Sequence, residues 1–208
     1  MKTVLIANRK GGVGKTLISV TLASALVNAG HRVALADADK QRSTIGWLNR
    51  RPATARPILG LDWTSGSDIG ETPKKLDWLI IDAPGALKGA RAEKLIAESR
   101  AVFCPVQPSF FDSASTATFL ETIEDIKRVR KGKVQVHLIA NRARQNSRAA
   151  QDLTQFFAEV GREPLTWLNE RSAYSAMAAD GLAIFDRSLR ALDPIKAQWA
   201  PILKKTGL

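Results

Sequence analysis

Five short runs of consecutive apolar residues, partly β-branched, punctuate the chain at residues 3–7, 32–36, 78–81, 101–106 and 134–140. Apart from Val134-Gln135-Val136-His137-Leu138, none alternates polar with apolar positions, so they read as strands buried on both faces. Other segments have helical spacing. Residues 17–29 form a helical stretch with apolar residues at Leu17, Ile18, Val20, Leu22, Ala25, Leu26 and Ala29, which stops at Gly30, a residue free to take the left-handed turn that ends a helix. Residues 113–129 and 147–160 also predict helices, and residues 51–73, rich in Pro, Gly, Ser and Thr, predict loops around one short strand. Apolar strands alternating with helices imply an α/β fold with a mostly parallel central sheet flanked by helices on both faces. Residues 1–208 are expected to form one domain.

Composition narrows the class. With 45% hydrophobic and 25% charged residues, the chain resembles an average globular protein rather than a disordered one. A single cysteine, Cys104, can neither close an internal disulfide nor by itself hold zinc or an iron–sulfur cluster. His31 and His137 lack metal-ligand spacing, and Cys104 lies in a predicted core strand. Packing is the expected role of the five tryptophans, with Trp47 beside Arg50 and Arg51 as an exception open to base stacking. No apolar run approaches a membrane span and no signal-peptide pattern opens the chain, which points to the cytoplasm.

The candidate chemistry sits where the first strand turns into the first helix. Gly11, Gly12 and Gly14 would let backbone N–H groups curl around phosphate oxygens, aided by the helix N-terminus. Lys15 would reach the β- and γ-phosphates, and the Thr16 hydroxyl would face Mg²⁺. Asp82, ending an apolar strand, would hold that metal through water. The chain therefore reads as a P-loop NTPase, although Arg9 stands where the standard pattern has its first glycine. A dinucleotide-binding fingerprint would have no use for Lys15 and Thr16.

Lys10-Gly11-Gly12-Val13-Gly14-Lys15-Thr16 resembles the deviant Walker A motif of the ParA/MinD ATPases, which lack the first glycine and carry an extra lysine. Asp37-Ala38-Asp39-Lys40-Gln41 is similar to the family's Asp-x-Asp-Pro-Gln segment, with Lys40 in place of proline. Leu79-Ile80-Ile81-Asp82-Ala83-Pro84-Gly85 resembles its Walker B and switch II. Residues 105–109, the strand end at Asn141-Arg142 and residues 171–181 carry weaker similarity. The resemblance implies an ATP- and Mg²⁺-dependent ATPase, slow until a partner stimulates it. Lys10 would cross a homodimer interface to the partner's ATP, and residues 11–17, Leu17 included, would line the nucleotide. Asp39 would orient the attacking water, Asp37 would lie near the metal shell, and Asn141 would contact the adenine edge.

The charge balance then gains meaning. Lys plus Arg number 31 against 20 acids, a net +11 with pI near 10.2. Residues 127–148 hold eight basic side chains and no acid, and residues 40–56 are also acid-free. The excess favours one shared basic surface for a polyanion. The resemblance implies non-specific double-stranded DNA, bound by the ATP dimer, with Arg142, Arg144, Arg148 and Arg171 as candidate contacts, and a nucleoid-associated bacterial protein.

No helix-turn-helix precedes the loop, as in the short ParA-type proteins, so a ParB-like or cargo-adaptor protein is expected to trigger release. Its cargo would be plasmid, chromosome or another assembly. A MinD-like membrane switch is the alternative: Ile195, Trp199, Ile202 and Leu203 with Lys196, Lys204 and Lys205 mimic an amphipathic anchor, but Pro201 interrupts it and the expected role is a terminal helix packed on the domain. The lone cysteine excludes the iron–sulfur ATPases of this group. Lys10 argues against a synthetase of the dethiobiotin-synthetase type.

Overall fold

In the computed structural model, which describes residues 1–64, 70–85, 87, 89–144 and 146–208, the apolar runs form the interior of one sheet. Its strands are β1 (Lys2–Ile6), β2 (Val33–Asp37), β3 (Leu59–Asp62), β4 (Trp78–Asp82), β5 (Ala101–Val106), β6 (Gln135–Ala143) and β7 (Thr166–Asn169). Their order is β3-β2-β4-β1-β5-β6-β7, and every pairing is parallel. Parallel pairing requires crossovers over the faces, and the helices supply them.

Successive β1 side chains feed two cores. Val4 and Ile6 join Ile18, Leu22 and Leu26 of α1 (Lys15–Asn28), Trp47 of α2 (Ser43–Arg50) and Tyr174 of α7 (Ser172–Ala179). Leu5 and Ala7 join Leu95 of α3 (Gly89–Glu98), Phe119 of α4 (Phe110–Glu124) and Phe157 of α6 (Arg148–Glu159). This two-faced burial explains why β1, β2, β4 and β5 lack alternation, whereas the first half of β6 is partly exposed and alternates. Gly30 does close α1: with φ 93° it lets its N–H reach Val27 O and lets His31 N–H reach Leu26 O.

Several expectations needed correction. The predicted helix at 113–129 divides into α4 and α5 (Lys127–Arg130), because Ile126 takes extended backbone while its side chain packs on the core. The short loop-flanked strand is β3, and the structure adds α2, α3, β7 and α7 to the expected elements. The C-terminal segment forms α8 (Asp193–Ala197) and α9 (Ala200–Thr206), with Pro201 in its first turn, where a missing N–H costs nothing. Trp199 and Ile202 are fully buried, and the Trp199 indole donates to the Tyr174 hydroxyl at 2.8 Å. The apolar stripe of this segment is thus core, as expected of a terminal helix packed on the domain. Among the described residues no helix is long and apolar enough to cross a membrane.

Candidate phosphate and metal site

Parallel strands deliver their C-terminal ends to one edge of the sheet, where ligands of open α/β folds collect. Ile6 pairs with Asp82, and Asp82 pairs with Asp37, so the end of β1 lies beside Asp82, with Asp37 one strand further along the same edge. The glycine-rich turn leaves from β1 there. Gly12 and Gly14 take φ values of 80° and 92°, and Gly14 caps α1.

The turn is tied down from several sides. Asn8 accepts the Lys10 N–H, while its own amide donates to Pro105 O and to the Thr116 hydroxyl. Gln107 donates to Gly12 O at 3.0 Å, and Asn141 donates to Val13 O at 2.7 Å. The Asn141 amide also lies so close under Gly14 that a Cβ there would collide with it. Asn141 is buried beneath the loop, and in this structure its side chain fastens the turn.

Lys15 is only 6% exposed and donates back to Lys10 O at 3.0 Å, so its ammonium closes the turn it starts from. Burial lowers its pKa, opposed by the charges of Asp82 and Asp39. Lys10 itself projects into solvent. Asp39 uses Oδ1 for the Gln41 N–H and Oδ2 for the Gly85 N–H. Asp37 is fully buried, with one oxygen taken by the Asp39 N–H and the other by the Ile45 N–H at 3.0 Å, so its carboxylate secures the first turn of α2. Burial raises its pKa against those hydrogen bonds.

Thr16 donates to Asp82 Oδ2 at 2.6 Å, and Thr44 donates to the same oxygen at 2.7 Å. The other oxygen, Oδ1, is buried without a partner. Burial pushes the Asp82 carboxyl up to about 6, against the pull of Thr16, Thr44 and Lys15, while Asp37 adds to the rise. An unsatisfied buried acceptor beside a threonine hydroxyl fits a cation with its own water shell. Among the described residues no cluster of three or more His, Cys, Asp or Glu side chains forms a closed metal cage.

The candidate arginines scatter. Arg142, with φ 52°, reaches Gly12 O at 3.4 Å, and with Arg171, Leu17 and Asn141 it lines a hollow of about 590 Å³ beside the turn. Arg144 pairs with Glu170 at 2.8 Å, and Arg148 opens α6. The basic run at 127–148 is not one patch. Its first five cations precede β6 and the last three lie at or beyond its far end, and nine strand residues span about 30 Å. In the other acid-free stretch, Arg42 pairs with Asp62 and Arg51 with Asp186. Arg51 also stacks on Trp47, 5.1 Å from its ring centre, and the Trp47 indole donates to Leu182 O, so that ring packs rather than stacking bases. Sequence reasoning missed Thr44 and the loop-fastening roles of Asn8, Gln107 and Asn141.

A glycine-rich strand-to-helix turn, its lysine and a strand-end aspartate bonded to the adjoining threonine define a P-loop nucleotide-binding domain. The family model for the CobQ/CobB/MinD/ParA nucleotide binding domain matches residues 4–184, and the chain belongs to that family. Maintenance of carboxysome distribution protein A of Halothiobacillus neapolitanus is 27% identical over 193 residues, covering 90% of this chain and 88% of that protein. Protein ParA of Rhizobium radiobacter is 27% identical over 187 residues, covering 85% and 82%. The solved structure of apo McdA from Cyanothece superposes with a TM-score of 0.78 at 16% identity, covering 99% of both chains.

Proposed function

We propose that the chain is an ATP-dependent partition or positioning ATPase that dimerises on ATP, binds DNA without sequence preference and lets go after hydrolysis. The observation that carries this reading is the deviant turn itself, with Lys10 free in solvent while Lys15, Thr16 and Asp82 are already drawn together. Phosphoryl transfer needs charge neutralisation and an aligned water more than covalent help. Lys15 would leave Lys10 O for the phosphates of its own subunit, and Lys10 would reach those of the second subunit. Asp39, bonded to the Gly85 N–H, would orient the attacking water. Thr16 and Asp82 would hold Mg²⁺, which when bound neutralises phosphate charge, with Asp37 behind them securing α2. Asn141 would approach the adenine edge from the hollow it shares with Leu17.

The relatives support positioning as the broad task. One is named for carboxysome distribution and one is named ParA, and a Cyanothece McdA variant was solved as an ATP complex. The stimulating partner would be a ParB-like or adaptor protein, and the protein would sit on the bacterial nucleoid. Arg142 and Arg171 favour coupling of DNA to nucleotide, because both line the hollow beside the turn. Burial of Trp199 and Ile202 weighs against the MinD-like membrane alternative.

The test is binding to an arbitrary DNA duplex with ADP, ATP and a non-hydrolysable analogue at two salt concentrations. ATP with Mg²⁺ should promote binding that falls steeply with salt. Arg142→Ala and Arg171→Ala should weaken it for all sequences alike. Nucleotide-independent or sequence-specific binding would refute the reading, and recovery on anionic vesicles instead would favour the membrane alternative.

A further inference from the structure

Thr44 has no place in the motifs that define the site, yet its hydroxyl donates to Asp82 Oδ2 at 2.7 Å from a fully buried position. Thr16 shares that oxygen, while Asp82 Oδ1 keeps no partner. The aspartate is thus clamped on one oxygen by two hydroxyls and left open on the other.

The clamp is itself anchored at both ends of α2. At the start, Asp37 takes the Ile45 N–H. At the end, Arg51 forms a buried ion pair with Asp186 at 2.7 Å and stacks on Trp47. The Trp47 indole donates to Leu182 O. A short helix fixed at both ends cannot turn to release the Thr44 hydroxyl without breaking one of these contacts.

We propose that Thr44 is a positioning residue, which holds Oδ2 of Asp82 so that Oδ1 faces a Mg²⁺-bound water. This rests on the reading of the site as one for Mg²⁺ and nucleotide. Thr44 would act on the metal through Asp82, the residue its hydroxyl bonds. Outer-shell hydrogen bonds of this kind commonly govern metal affinity by about 10–100-fold.

The experiment measures binding of a fluorescent ATP analogue while free Mg²⁺ is titrated, with a parallel series in EDTA. Thr44→Val keeps the shape and loses the hydroxyl, whereas Thr44→Ser keeps the hydroxyl and loses a methyl. The valine variant should need about 10–100-fold more Mg²⁺ for half-maximal binding, with affinity in EDTA unchanged. The serine variant should stay within a few-fold of the wild type. A purely packing role gives the reverse ranking, serine impaired and valine normal, and would overturn the proposal. So would a valine variant with wild-type Mg²⁺ dependence. A wild-type protein that binds no Mg²⁺-nucleotide would instead overturn the functional reading beneath it.

Discussion

Oδ2 of Asp39, just beyond β2, accepts the backbone N–H of Gly85, just beyond β4, at 3.3 Å. A Cβ on Gly85 would stand 3.6 Å from Gly11 Cα, so three loops from three strands converge on one point. The Asp39 carboxylate is therefore aimed into the site before any ligand arrives. Asp39→Ala should leave nucleotide binding and ATP-driven dimers in place while turnover falls by about 10²–10⁴-fold, the usual worth of a positioned general base. Sedimentation with ATP and a phosphate-release assay read the two properties separately. Wild-type turnover in the variant would remove Asp39 from the mechanism.

Lys15 is held at the mouth of the turn by Lys10 O, a bond that a phosphate would replace. Lys15→Ala should weaken ATP binding by at least about 10–100-fold, the worth of one charge-assisted contact alone. Lys15→Arg should rescue little, because the bulky planar fork does not fit a position this enclosed. Isothermal titration with ATP and Mg²⁺ decides it, and unchanged affinity in Lys15→Ala would remove the phosphate site.

Gly14 combines a φ of 92° with the Asn141 amide pressed beneath it. Gly14→Ala should lower stability by about 1–2 kcal/mol from backbone strain alone, with a further cost from displacing Asn141. Adding Asn141→Ala should recover the steric part and none of the strain. A urea-melt double-mutant cycle would then give a coupling energy of opposite sign to the single effects. Strict additivity would mean that the two side chains do not meet.

Acid should weaken the fold in two windows. Burial pushes the His137 ring down to about 4, with Lys205 and Arg162 adding to the fall. The unfolded chain then binds this proton first, so the contribution of His137 is complete above its ordinary value of 6.5 and is lost as pH falls towards 4. Asp186 behaves differently. Burial would raise it, but Arg51, the Ala183 N–H and Asn28 outweigh that and hold it below 3.8. Its contribution is complete above 3.8 and disappears only as pH drops through its folded value. Urea midpoints at several pH values should fall in both windows, and His137→Gln should flatten the upper one alone. Asp186→Ala should cost about 3–5 kcal/mol at neutral pH by stranding Arg51.

The parallel sheet was legible because β1, β2, β4 and β5 are apolar on both faces, and α1 because Gly30 marks its end. Helix α2 was not. Arg42 precedes it with φ 54° and offers no side-chain cap, and the carboxylate that steadies its start belongs to Asp37 on the preceding strand. Strand β7 spans only four residues, with every second one half-buried, too short for any period to show. The loop lysines and Asp82 were readable from local motifs. Thr44 and Asn141 were not readable in their observed roles, because each acts on a residue that only the strand order brings near. The arginine run failed as a patch for the complementary reason, since a strand separates what the chain places side by side.

Cys104 lies in β5 with no exposure, and burial pushes its thiol up to about 12. It is the chain's single cysteine. Maleimide chemistry and oxidative cross-linking should therefore pass over the native protein. A cysteine introduced on the surface would be the one reactive handle, so distances across an ATP-driven dimer could be measured by fluorescence or spin labels without first stripping out a competing thiol.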